Sequence, residues 1–273
     1  MSATDLAERL QILTTRGARP YGVVGDSHSR MLVRRGRRGG NWLLPIWNLE
    51  TGASARGLAR AGARSGAGGR TRDFLRRLLA VDGLPVLTMF GQVDMEFVHT
   101  FKRLASGERR FSLERFDAFA DETVAAYVAF LTDAVEPALR GRVRVYPIFP
   151  PALSDAAWRR GYLNAHLVAL HGEGPREEMA AGLATLEIPD LVQRTGLHAR
   201  FNSRLARAAG AEGFSSPDLF QAFVGRDGAA RPAFLGAARG ADHHLDFAAT
   251  HAPVLESLWR IMDESGPVHL PDE

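Results

Sequence analysis

Cysteine is absent from the 273 residues. That excludes disulfides, thiolate metal sites and a cysteine nucleophile, and leaves the redox compartment unmarked. Lysine is nearly absent as well: Lys102 is the only one, so the 34 basic residues are otherwise all arginine. This usage lifts the isoelectric point to about 9.8, although the formal net charge is only +3. So small an excess, with no zinc-finger or RNP-like pattern and no aromatics interleaved with a basic stripe, argues against a nucleic-acid partner. No apolar run approaches the roughly 20 residues needed to span a bilayer, and residues 1–10 form a polar amphipathic pattern without a signal-peptide core. The expectation is a cytoplasmic protein with no membrane partner. Hydrophobic and charged contents of 45% and 24% suit a globular chain. With no evident linker or internal repeat, residues 1–273 read as one domain.

What is present is a chain punctuated by glycine and proline. Residues 3–15 read as a helix, and Tyr21 to Val24 as a strand stopped by Gly25. Asp26-Ser27-His28-Ser29 follows, and then a helical pattern over 30–35. A basic link over 34–40 leads to a second strand around 42–47, where Pro45 implies an edge or a bend. Residues 51–72 are rich in Gly, Ala and Arg and show little regularity, and a helix is predicted from Asp73. Leu84 to Phe90 reads as a strand buried on both faces, ending at Gly91. The spacing predicts helices over 116–135, 191–209 and 249–262, a strand near the sheet edge over 143–149 and a short strand around 214–220. Residues 154–189 fit no repeating unit and read as a helical insertion or lid. Strands alternating with helices imply parallel crossovers, hence an open sheet covered on both faces.

In such a sheet, functional groups collect beyond the carboxyl ends of the strands. Three polar stretches fall there: Asp26 to Ser29, Gly91-Gln92-Val93-Asp94, and Asp242-His243-His244-Leu245-Asp246. Ser27 reads either as an N-cap or as a nucleophile, and a serine needs a base within hydrogen-bond reach to act. His243 and His244 are the candidate bases. The backbone N–H groups of the Ser27 turn could serve an oxyanion. Asp26 reads as a structural carboxylate, and Asp94 as a binder of neighbouring loop N–H groups. His28 reads as a substrate contact or a solvent-facing position, and His99 as structural. The set Asp242, His243, His244, Asp246 and His251 also has metal-ligand chemistry, but consecutive side chains rarely converge on one ion, so no metal is expected.

These residues resemble the blocks of the SGNH/GDSL hydrolase family. Gly25-Asp26-Ser27-His28-Ser29 is similar to its nucleophile block, and Asp242-His243-His244-Leu245 to its closing Asp-x-x-His block. Gly52 to Leu58 falls where the family places its second-block glycine, and Gly91 to Asp94 where it places Gly-x-Asn-Asp. Phe201-Asn202-Ser203-Arg204-Leu205 is similar to a recurring Phe-Asn-x-x-Leu segment. The resemblance spans residues 20–262. It implies a flavodoxin-like, three-layer α/β/α fold and acyl chemistry without a cofactor. Ser27 would be the nucleophile, His244 the base and Asp242 its orienting acid. Ser27 and Gly57 (or Gly52) would donate to the oxyanion, with Gly91, Gln92, Asp94 and His243 lining the site.

Two departures stand out. Val93 replaces the third-block asparagine, although Gln92 could reach in instead. Asp242 lies only two residues before His244, where the family has three and this chain has Ala241. The expected activity is that of a serine esterase or deacylase on a small acyl ester, for example an O-acetylated carbohydrate. The alternatives are an acyltransferase using the same serine, or a non-catalytic binding protein that keeps the fold. Arg56, Arg60, Arg64, Arg70 and Arg72 could line a pocket for an anionic substrate, and Trp47 and Trp158 could stack on a sugar.

Overall fold

The computed structural model describes residues 3–60, 62, 65–159, 181–236 and 240–265. One sheet carries the strands β1 (Ala18–Gly25), β2 (Arg37–Arg38), β3 (Asn41–Leu49), β4 (Val86–Met89) and β5 (Val143–Val145). Their order across the sheet is β2-β3-β1-β4-β5, with β3, β1, β4 and β5 parallel and β2 antiparallel at one edge. The flanking helices include α1 (Ala3–Thr14), α2 (Ala55–Leu58), α3 (Ala67–Leu79), α4 (His99–Ala105) and α5 (Leu113–Ala134). Then come α6 (Asp155–Arg159), α7 (Leu191–Ala211) and α8 (His251–Ser265). The architecture is three-layer α/β/α, as expected. No helix among the described residues is long and apolar enough to cross a membrane.

The centre of the sheet is buried on both sides, which is why β1 and β4 carry little but apolar or small residues. Gly22 faces α3, where a Cβ would come within 2.5 Å of Leu78. Tyr21, one residue earlier and so on the opposite face, sends its hydroxyl to the carbonyls of Leu32 and Arg34, at 2.9 and 2.8 Å. Pro45 is tolerated in β3 because β2 pairs only with Asn41 and Trp42 and leaves the rest of that edge open. The core joins Val23, Leu75, Leu87, Tyr127, Leu131 and Leu258.

Several expectations are corrected. No α-helix follows Ser27; residues Ser27–Leu32 form a 3-10 turn with Asp26 as its N-cap. The basic link is not merely a solvated connection, since Arg34 is 1% exposed. Helix α3 begins at Ala67 rather than Asp73. The strand expected over 214–220 reduces to one bridge between Ser215 and Arg144, followed by a 3-10 turn over Phe220–Phe223. Of the insertion expected over 154–189, residues 160–180 lie outside the described residues.

The strand order positions the site. Strand β1 lies between β3 and β4, so the chain leaves β1 first to one side and later to the other. Loops from neighbouring strands diverge at such a switch point and leave a crevice at the carboxyl ends. Gly25 stands level with Leu49 and Met89. The loops that begin at Asp26, Glu50 and Phe90 therefore share one rim.

Candidate active site

Ser27 sits half-buried at the first position of the 3-10 turn. The segment after Gly240 reaches the same rim from the far end of the chain. It is pinned by a bond from the Ser154 amide to the Gly240 carbonyl (2.8 Å) and from the Asp246 amide to the Phe234 carbonyl (2.7 Å), with Leu245 buried beneath. His244 Nε2 then lies 3.0 Å from Ser27 Oγ. On the other side of the ring, His244 Nδ1 lies 3.1 Å from Asp242 Oδ1, and the same oxygen accepts from the His244 amide at 3.2 Å. The short spacing works because an aspartate can accept from the N–H two residues on, and this turn folds the imidazole back over its own carboxylate.

Arg34 ties the two halves together. Its Nε donates to the Met31 carbonyl (2.8 Å) and its Nη2 to Thr250 Oγ1 (2.8 Å), while the guanidinium stacks 3.5 Å from the Phe247 ring centroid. The turn after Ser27 and the segment after His244 are thus joined through one buried cation.

The chain uses the same Asp-x-His turn twice. Asp26 Oδ1 accepts from the His28 amide at 2.9 Å and faces His28 Nδ1 at 3.2 Å, as Asp242 does for His244. The His28 and His244 rings lie against each other, with centroids 4.4 Å apart and planes tilted by 31°. Burial separates the two units. Asp26 is fully buried, and that desolvation pushes its carboxyl up to about 7 against the pull of the His28 amide. His28 is driven well below its usual value by burial first and by the neighbouring His244 charge second. Burial is also the largest influence on the more open Asp242, but the His244 amide, the His244 ring and the charge of the imidazoles outweigh it. Its carboxyl lies below the usual range. The outer pair thus holds the ionised acid that an imidazolium needs, and the inner pair holds a neutral imidazole.

The remaining expected site residues are placed as follows. The Gly57 N–H is occupied within α2, donating to the Ser54 side chain and carbonyl (both 3.0 Å), so it is not an oxyanion donor as it stands. Gln92 does not reach toward Ser27. Its Oε1 accepts from the Phe149 amide (2.8 Å), and its Nε2 donates to Glu96 Oε1 (2.7 Å) and the Phe149 carbonyl (3.2 Å). Asp94 accepts from the Ala55 amide (2.6 Å) and, longer, the Arg56 amide (3.4 Å). It therefore braces the start of α2, and burial pushes its carboxyl up to about 7. Gly91 has φ +115° and its open side faces Phe201, whose ring leaves no room for a Cβ. Val93 packs with Phe97, Leu153, Ala157 and Trp158 in a small apolar cluster. His243 is buried, with its Nδ1 3.3 Å from Asp242 Oδ1 and its ring edge-on to Phe97 at 5.2 Å.

His28 is corrected from a solvent-facing position to a buried one, at 2% exposure. His99 packs on Phe116 and Phe119, with ring centroids 5.2 Å away in both cases. Trp158 is core and Trp47 half exposed. Arg56, Arg70 and Arg72 pair with Glu122, Glu50 and Asp133, Arg60 is exposed, and Arg64 lies outside the described residues. Of the five residues considered as metal ligands, Asp246 is turned to the Ala249 amide (2.8 Å) and His251 is exposed. Sequence reasoning did not place Glu96 in the neighbourhood. It is buried beside a cavity of about 30 Å3 lined also by His99, Thr100, Arg103, Trp158 and His198.

Fold and site together define an α/β/α protein with a serine, an imidazole and a carboxylate in line at the carboxyl rim of its sheet. Among solved structures, the chain is similar to the lipase Lip_vut3 from a goat rumen metagenome, at 13% identity over 89% of this chain and 96% of that one, with a TM-score of 0.48. It is also similar to an extracellular lipase from Streptomyces rimosus, at 16% identity over 89% and 99%, TM-score 0.43. A third is phospholipase A1 from Streptomyces albidoflavus NA297, at 13% identity over 88% and 98%, TM-score 0.33. No family model matches the chain, and no curated protein matches it by sequence.

Proposed function

We propose that this protein is a serine esterase or deacylase of SGNH type, acting on a small acyl ester through an acyl-serine intermediate. The observation that carries this reading is the line from Asp242 Oδ1 through the His244 ring to Ser27 Oγ, with steps of 3.1 and 3.0 Å. A neutral His244 with its proton on Nδ1, facing Asp242, accepts the Ser27 hydroxyl proton on Nε2 as Oγ attacks the acyl carbonyl. The imidazolium is stabilised by the ionised Asp242 and returns the proton to the departing alcohol oxygen. Water, deprotonated by the same imidazole, then attacks the acyl-serine; as the acyl–oxygen bond breaks, the imidazolium returns that proton to Ser27 Oγ and the carboxylic acid leaves.

The Ser27 backbone N–H is our candidate for the developing oxyanion, since Gly57 and Gln92 are committed elsewhere. A single donor is a poorer hole, because losing one donor costs about 2.7–4 kcal/mol in hydrolases that have been dissected. The reading therefore favours a reactive or activated ester.

Treatment with a fluorophosphonate followed by mass spectrometry tests it. Modification confined to Ser27, absent in Ser27→Ala, is the expected result; an unmodified wild-type protein refutes the enzyme reading in favour of a binding protein. Release of p-nitrophenol from short-chain esters, with and without an added alcohol, separates hydrolysis from acyl transfer by whether acid or new ester accumulates.

A further inference from the structure

We propose that His28, His243 and His244 form a binding site for a divalent transition ion of the zinc type, and that occupation of this site silences Ser27. The inference rests on the serine-hydrolase reading only for its silencing half; the metal site stands on geometry alone. One ring nitrogen from each of the three histidines lies within 4.8 Å of the others, a spacing from which all three could hold one ion. The ring centroids are 3.9, 4.4 and 5.3 Å apart.

The surroundings are those a zinc site needs. Nδ1 of His28 faces Asp26 at 3.2 Å, and Nδ1 of both His243 and His244 faces Asp242, at 3.3 and 3.1 Å. A carboxylate on Nδ1 fixes the ring and makes Nε2 the ligand atom, the arrangement that orients histidines around metals. His28 supplies a second, independent sign: it is 2% exposed and its Nε2 makes no well-formed hydrogen bond, although the His243 backbone lies near enough to act on the ring. Three imidazoles with a further position left open suit zinc, with copper, nickel and cobalt as competitors. Ser27 Oγ, 3.0 Å from His244 Nε2, stands where a fourth ligand would be. An ion held by His244 Nε2 takes the lone pair that must accept the serine proton, so the bound form cannot start acyl transfer. No covalent change is involved, and removing the ion restores the base.

The test uses the full chain stripped of metal with a chelator. Isothermal titration with zinc chloride is expected to show one ion bound per chain, and fluorophosphonate labelling of Ser27 is expected to slow at least about tenfold at saturation and recover with EDTA. Cobalt chloride is expected to give the intense visible absorption of a four-coordinate site, a readout that needs no variant to fold. His28→Gln and His243→Gln should each weaken zinc binding about 10–100-fold or more, while Ser27→Ala should still bind. No zinc binding by a wild type that labels normally overturns the proposal and spares the esterase reading. Binding that is unchanged in both histidine variants, or that leaves labelling unslowed, also overturns it. A metal-free protein that binds zinc through these histidines but never labels overturns the esterase reading, and silencing with it, while the metal site stands.

Discussion

Replacing Glu96 with glutamine should flatten the alkaline side of this protein's stability curve. Glu96 is 6% exposed, and burial pushes its carboxyl from an ordinary 4.5 up to about 8. The bond from Gln92 and the charge of Arg194 pull it down, but not enough, and the charges of Asp26 and Asp242 push it further up. A folded-state value above the unfolded one means that the native protein holds this proton more tightly. Its contribution to stability is therefore complete below about pH 4.5 and is lost as the pH rises through about 8. One proton changes stability by at most ~1.4 kcal/mol per pH unit, so the loss between pH 5 and 8 is on the order of 3–4 kcal/mol at the upper limit. Water entering the adjoining cavity of about 30 Å3, which has room for about two molecules, would shrink that figure.

Glutamine keeps the acceptor that Gln92 bonds and carries no proton to lose. Urea unfolding followed by tryptophan fluorescence between pH 5 and 9 measures the difference. Across this range the slope of the wild-type curve should be more negative than that of Glu96→Gln by up to ~1.4 kcal/mol per unit. Buried His28, His99 and His198, whose lowered values add stability as the pH rises toward 6.5, contribute equally to both curves. Asp94, raised to about 7 by burial, keeps some slope in the variant. Parallel curves for the two proteins would show that Glu96 is already ionised in the fold and would refute the reasoning.

His244→Ala should slow fluorophosphonate labelling of Ser27 by about 10³-fold or more, and Asp242→Asn by up to about 10⁴-fold, both with unchanged circular dichroism. Arg34→Met leaves the Met31 carbonyl without its donor and should cost about 2–3 kcal/mol in urea unfolding; labelling should slow as well, whereas exposed Arg35→Met should change neither. Gly91→Ala combines a positive φ with a Cβ 2.6 Å from the Phe201 ring, and a loss of about 1–3 kcal/mol in unfolding stability is expected. Gln92→Leu unties the Phe149 amide and carbonyl from the loop after β4 and should cost a similar amount, about 1–3 kcal/mol, by the same measurement.

The alternation of apolar runs with helical patterns was enough to read the layered fold, because β1 and β4 are buried on both faces and tolerate little else. The 3.0 Å approach of His244 to Ser27 was only half legible, since the residues alone left His243 and His244 both open as the base and only the family resemblance chose between them. Hydrogen-bond commitments were not legible. Whether Gln92 turns toward Ser27 or toward Phe149 depends on a carbonyl and an amide 57 residues along the chain. Gly57 was a half-legible case, since Ser54 three residues earlier is an ordinary N-cap that claims its N–H. The burial of His28 was missed because a helix was expected where a 3-10 turn forms, which rotates the side chain inward. The first half of α3 was missed because Gly68 and Gly69 have low helix propensity, and packing against α2, β1 and α5 forms the helix regardless.

Because Asp242 and His244 share one short turn, the parts that would manage the proton are a single mechanical unit. A small sideways shift of residues 240–246 would carry carboxylate and imidazole away from Ser27 together, without first separating them from each other. In such a shift Ser27 would lose its two neighbours in one step rather than in sequence.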